Sequence, residues 1–236
     1  MNKVLHKHLV ALVMMAVALT GLAQTVSHYE LNVGDFSELK VLNGVNVDYY
    51  CNADSAGMAV FDATADRASA IVFASKKNRL EIQVSADAAK EKNLPTIKVY
   101  SRFLTKVENS GDSIVRVMSS QSGPSFKARL VGNGRLVVRD VDAMQLDGSI
   151  NTGNGMLVLY GKCTTAKLNN TGTGNIQADE LEAQRVKCVQ VGTGSIGCYA
   201  TEAMTIYGAS GKVYYRGNPV VKNHSIGVDA ISLEEN

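Results

Sequence analysis

Between roughly residues 108 and 217, apolar side chains fall on alternate positions in short runs, and the runs come in pairs. After each of four Gly-x-Gly steps, an apolar pair stands two and four residues on: Leu136 and Val138, Leu157 and Leu159, Ile176 and Ala178, Ile196 and Cys198. Val213 and Tyr215 continue the series after Gly211. A second alternating pair precedes each corner: Phe126 and Ala128, Met144 and Leu146, Ala166 and Leu168, Val186 and Cys188, Met204 and Ile206. The flanks are polar, with Arg135, Asn175, Ser195 and Lys212 on one side of the first pairs and Arg139, Asp179 and Arg216 on the other. A period of two over such short lengths predicts strands with one buried face. Each unit therefore reads as strand, turn, strand, glycine corner.

The second glycines of the four steps, Gly134, Gly155, Gly174 and Gly194, lie 21, 19 and 20 residues apart. A degenerate copy around Gly211 follows 17 residues later, and another around Gly111 sits one period earlier. A repeat of this length, built of short strands and glycines, is a solenoid signature. One unit cannot bury its apolar face alone; stacked at about 4.8 Å per coil, each backbone group pairs with the coil above and below. Gly134, Gly155, Gly174, Gly194 and Gly211 are expected at corners where positive φ excludes a side chain. Asn133, Asn154, Thr173 and Thr193 then form a ladder on one edge, which turn chemistry and solvation explain. The expected fold is an all-β parallel β-helix of coils of about 20 residues.

The stretch over 24–107 alternates without a short repeat, for example at Phe36 to Val41, Val45 to Tyr49, Leu80 to Val84 and Ile97 to Tyr100. It is expected to form wider, irregular coils that also cover one open end. The regular coils occupy 108–217, and 218–236 caps the other end, so that 24–236 makes one β-helix domain. Uncapped terminal coils would expose unpaired backbone edges.

Residues 1–23 read as a cleaved secretory signal peptide. Lys3 and Lys7 give a positive start, Leu9 to Leu19 is an uncharged apolar run of 11 residues, and Gly21 and Ala23 supply small residues before the cut. The run is too short to span a bilayer, and no second one is long enough. Without Lys3 and Lys7 the chain carries 22 basic and 22 acidic residues. Neutrality with no basic run argues against nucleic acid. Export places Cys51, Cys163, Cys188 and Cys198 in an oxidising compartment, which invites a disulfide reading. However, Cys188 and Cys198 fall on two different walls, and facing sheets stand about 10 Å apart. The cysteines are expected to be mostly free, as small core hydrophobes.

Several short motifs occur in a recognisable order: Phe36-x-x-Leu39-x-Val41, Asn78-Arg79-Leu80-x-Ile82, Ile97-x-Val99-Tyr100 before Leu104-Thr105, the Gly-x-Gly coils, and the closing Gly211 to Pro219. Together they resemble the auto-transporter adhesin head GIN domain, an exported family common in Bacteroidetes. The resemblance covers about 33 to 231. It implies a right-handed parallel β-helix and a role in adhesion, and it brings no catalytic residues. Many relatives carry Gly-Ser-Gly-Asp where this chain has Gly-Thr-Gly-Asn or Gly-Asn-Gly-Arg.

The chemistry legible in the residues is sparse. Calcium-binding rolls need an Asp in nearly every turn, whereas Arg135, Met156, Asn175, Ser195 and Lys212 follow the second glycines. No catalytic, cofactor or metal residues are therefore assigned. Asp140, Asp142 and Asp147 cluster in sequence, but turn residues explain Asp140 and Asp142, and glycoside hydrolysis needs two carboxyls across a groove. The only histidines after the leader, His28 and His224, stand near the two ends, which gives nucleophile–histidine catalysis little support. Tyr160 and Tyr199 are expected outward, on the same side of successive coils, as candidate partner contacts. The functional expectation is an exported, non-enzymatic adhesin-like or surface-assembly module, periplasmic, at the cell surface or secreted. Its partner would be a host or bacterial surface component, a glycan or a second copy, with no nucleic acid and no transmembrane anchor. The alternative is a carbohydrate-active β-helix enzyme with a groove near Asp140–Asp147.

Overall fold

The computed structural model describes residues 25–88 and 93–233. The leader expected over 1–23 lies outside the described residues. The chain forms an all-β solenoid whose coils recur at about 20 residues.

Its N-terminal part runs β1 (Ser27–Asn32), β2 (Glu38–Leu42), β3 (Val47–Cys51), β4 (Met58–Ala63), a short helix α1 (Ala65–Ser69), β5 (Ile71–Lys76), β6 (Arg79–Val84), β7 (Ile97–Ser101), β8 (Lys106–Ser110) and β9 (Ile114–Val117). The repeats follow as β10 (Gly123–Leu130), β11 (Arg135–Ile150), β12 (Met156–Asn170), β13 (Asn175–Gln190), β14 (Ser195–Gly208) and β15 (Lys212–Arg216), then β16 (Val220–Asn223) and β17 (Asp229–Ser232).

Two long walls result. The first stacks β7, β3, β9, the leading halves of β11 to β14, β15 and β17; all of these pairings are parallel. The second stacks β6, β2, β8, β10, the trailing halves of β11 to β14, and β16, again in parallel. Between them each long strand bends, with a register shift, across a short third side. Asp140 takes φ 55° and Gly161 takes φ 126° at this bend, the left-handed region that a polar Asp tolerates better than an apolar residue.

The coils do not stack in chain order. The β2–β3 coil lies between the β6–β7 coil and the β8–β9 coil, so the chain leaves the stack, returns beyond its own start, and then steps over it. The excursion is built antiparallel: β4 pairs with β7, β1 with β4, and β5 with β6. The 20-residue period carries no trace of this interleaving.

The core is one continuous column of apolar side chains. Leu136, Val138, Leu157, Leu159, Ile176, Ala178, Ile196, Cys198 and Val213 are buried inward, while Tyr215 is half-buried against the core. One expected pair needs correction. Met144 is 65% exposed, and the inward residues of that coil are Leu146 and Gly148. Gly148 pairs in register with Leu168, and a Cβ on it would stand 3.0 Å from Leu159 and 3.2 Å from Leu168. The neighbouring leucines fill the volume that a side chain at 148 would have occupied, so an inward glycine escaped an apolar count.

All four cysteines are free thiols. Cys188 and Cys198 meet across the core with sulfurs 4.0 Å apart, and Cys198 in turn contacts Met204 at 3.6 Å.

Candidate functional site

At the corners the glycines stack on one another. A Cβ on Gly134 would meet the Gly111 carbonyl at 2.4 Å, one on Gly174 the Gly155 carbonyl at 2.1 Å, and one on Gly194 the Gly174 carbonyl at 1.9 Å. Gly155 and Gly211 approach the preceding coil's glycine carbonyl similarly, at 2.7 and 2.6 Å. Of these five only Gly211 has positive φ, +91°. The requirement at the other four is close backbone approach between coils, a different reason for glycine from the one expected.

Buried amides lock several corners from inside, a feature that the alternation pattern did not pick out. Asn170 donates to the Gly174 carbonyl at 2.8 Å and accepts from the Gly172 amide at 3.2 Å. Asn109 repeats this arrangement with Ser113 and Gly111, and Gln190 donates to the Gly192 and Gly194 carbonyls. Outside, the expected ladder is present in part: Asn154 N–H donates to Asn133 Oδ1 at 3.0 Å, and the Thr173 hydroxyl donates to Gly153 O at 3.3 Å. Both bonds link the turns of adjacent coils.

Tyr160 and Tyr199 stand half-buried at the bend edge. They are not on successive coils, because β13 passes between them. Tyr160 pairs with Glu180, whereas Tyr199 pairs with Glu182 on one side and Arg216 on the other. Each ring carries a guanidinium, Arg139 at 5.4 Å over Tyr160 and Arg216 at 5.7 Å over Tyr199. Arg216 also donates to the Asp179 carbonyl at 3.3 Å. The edge thus reads arginine, tyrosine, acids, tyrosine, arginine along the stack. One face of each ring is already engaged in a cation–π contact of about 0.5–1 kcal/mol.

The groove expected near Asp140–Asp147 corresponds to an open cleft of about 410 Å³ beside Asp142, lined by Phe103, the Ser120–Ser122 loop and the start of β10 with Pro124 and Phe126. The Ser122 hydroxyl bonds the Asp142 carboxylate there. Asp142 is the single carboxylate of that lining, and Asp147 points from the second wall instead. A two-carboxylate hydrolysis needs a second acid that this cleft does not bring together. Among the described residues, no three His, Cys, Asp or Glu side chains are placed to share a metal ion, and no helix is long and apolar enough to cross a membrane.

Comparison with known proteins adds a family and a fold. A family model described as the putative auto-transporter adhesin, head GIN domain, matches residues 35–219. A solved putative adhesin from Bacteroides fragilis superposes with a TM-score of 0.80 at 22% identity, covering 89% of this chain and 97% of that one. A putative adhesin from Parabacteroides distasonis gives 0.70 at 18%, covering 88% and 96%. A protein from the same species titled a putative lipid binding protein gives 0.66 at 20%, covering 89% and 97%. No curated protein matches.

Proposed function

Because the chain belongs to the family of the putative auto-transporter adhesin head GIN domain, we propose that it is an exported, non-enzymatic module that binds a partner surface or glycan through the outer faces of its solenoid. The observation that carries this reading is the surface itself. Two walls of parallel strands run in register over many coils and line up their outward side chains in rows along the stack. Such faces suit weak contacts multiplied along a length rather than one deep pocket. Tyr160 and Tyr199 are proposed as contacts at the bend edge, each offering the ring face that its arginine leaves open. Export is proposed to follow cleavage after Ala23, leaving Gln24 first.

The test uses exported protein whose N-terminus has been sequenced, immobilised against glycan, host-matrix and vesicle arrays, with self-association followed by sedimentation. Binding or assembly is expected, and it should weaken when Tyr160 and Tyr199 are both changed to Ser. Turnover of a polysaccharide with no binding elsewhere would move the function to the enzyme reading. An N-terminus before Ala23 would overturn the cleavage proposal.

A further inference from the structure

We propose that the outer face of the second wall binds an acid-bearing polysaccharide laid along the solenoid axis, across a row of lysines. This rests on the reading of the chain as a binding module and names the face and the partner chemistry. The register places one outward residue per coil in a line, with successive strands about 4.8 Å apart. Toward the N-terminal end the line is internally neutralised. Arg79 bonds Glu38 at 2.8 Å, Lys106 lies 3.9 Å from Glu38, and in the adjacent row Glu108 takes Lys40 and Arg129.

From Lys127 onward the row changes character. It continues through Asp147, Lys167, Lys187, Thr205 and Lys222. Lys127, Lys167, Lys187 and Lys222 are all exposed. Among the described residues, none of these four lysines closes an ion pair, and neither does Asp147, which stands in register between Lys127 and Lys167. Lys187 lies 4.8 Å over the Tyr207 ring. Lys106 faces Lys127 directly, and Lys167 faces Lys187. Like charges opposite one another on adjacent strands destabilise a sheet, and here the fold supplies too few acids to offset them. The acids collect elsewhere, with Asp140, Asp142, Asp179, Glu180 and Glu182 at or beside the bend. A chain balanced in total charge therefore presents one face with an unmatched row of cations, which a polyanion would complete.

The neighbours of the row select among polyanions. Gln145 and Thr165 flank it on one side, Ser149 and Asn169 on the other. These amides and hydroxyls around Asp147 and Lys167 suit sugar hydroxyls. Farther on, the flanks carry Arg185, Ala203 and exposed Val220 on one side and Val189 and Tyr207 on the other, a scatter of apolar side chains rather than the continuous apolar face that enters a membrane. Single-stranded nucleic acid calls for a series of stacking aromatics, and this stretch offers Tyr207, already stacked on His224 at 5.4 Å. A linear chain bearing an acid on successive sugars matches a linear array with a cation on four of its six coils.

The purified protein is titrated at low salt with polygalacturonate, neutral dextran, phosphatidylglycerol vesicles and a single-stranded oligonucleotide. Polygalacturonate is expected to bind best and to weaken steeply as salt rises. The double variant Lys167→Gln/Lys187→Gln should lose affinity about five- to tenfold, the effect of two exposed ion pairs. Lys162→Gln/Lys212→Gln, with the same charge change on other faces, should lose less than twofold by the same reasoning. Unchanged melting of both variants confirms that they remain folded. Equal loss in the two variants, or preferred binding of vesicles or oligonucleotide, overturns the proposal. Binding of dextran or self-association without any response to polygalacturonate overturns this inference alone and leaves the binding module standing.

Discussion

At the scale of single residues, the corners show how little room the stacked backbone leaves. Gly174 sits in ordinary backbone space, yet any Cβ there would lie 2.1 Å from the Gly155 carbonyl oxygen, and a carbonyl in a stacked coil cannot swing away as a side-chain tip can. Gly174→Val should therefore destabilise the protein by on the order of 3 kcal/mol or more, as overpacking against backbone does. Gly174→Ala should cost nearly as much, since the first added carbon already collides. Urea unfolding of both variants checks this. Wild-type stability in the alanine variant would mean that the coils are not in this contact. The buried amides belong to the same economy of space. Asn170 is fully buried because one side chain satisfies two backbone groups of a corner too tight for water.

At the scale of elements, the walls hold a fixed length and the connections absorb the variation. The spacing of 21 residues between Gly134 and Gly155 arises because five residues separate Ile150 from Met156, where four separate Leu130 from Arg135. The next spacing drops to 19 for two reasons: Tyr160 alone spans a bend that takes Arg139 and Asp140 one coil earlier, and the corner between Asn170 and Asn175 is back to four residues. Further on, Asp179, Glu180 and Leu181 have no partners in β14. This is why the walls were legible from alternation while the edge was not. Leu157 and Leu159 announce themselves by period, but a bend of variable length displaces Tyr199 relative to Tyr160, and periodicity cannot reveal that offset. Met144 was misplaced for a related reason: its true inward counterpart is a glycine, invisible to a search for apolar residues. Facing walls also decide the state of the cysteines. The sulfurs of Cys188 and Cys198 are 4.0 Å apart, about twice a disulfide bond. Their mutual hydrogen bond and burial raise the Cys188 thiol, and burial pushes Cys163 up to about 11, so neither is a ready thiolate at neutral pH. Denatured, unreduced protein should titrate four thiols, and native protein should react first at half-buried Cys51. Finding two or fewer in the denatured sample would show a disulfide.

At the scale of the molecule, the order of the coils sets how the fold responds to loss of its ends. In a solenoid stacked in chain order, trimming either terminus removes an outer coil and leaves the remainder paired. Here the two ends differ. At the C-terminal end β16 and β17 form the outermost layer, each pairing with β14 or β15 on one side only. Removing residues from Pro219 onward should expose one new edge and lower stability modestly, with a single cooperative transition retained. At the other end β2 and β3 are interior: β2 lies between β6 and β8, and β3 between β7 and β9. Starting the chain at Asn52 would delete a coil from within the stack. The strands over 79–101 would then have to close directly on those over 106–117, with Leu39, Val41, Val47 and Tyr49 missing from the core column between them. The loop from Ser101 to Lys106, which steps over the deleted coil, holds its course partly through the Tyr49 hydroxyl on Ser101 at 2.9 Å and the Ser37 carbonyl accepting from Thr105. The shortened chain should lose cooperative unfolding of its N-terminal half, while amides in β11 to β14 keep slow hydrogen exchange. Supplying residues 24–51 as a separate peptide should restore protection in β6 to β9, because the coil is needed for its pairing on both sides rather than for its covalent position. Exchange measured by mass spectrometry on the trimmed chain, with and without the peptide, reads both outcomes. Full protection in the trimmed chain alone would mean that the coils follow chain order after all.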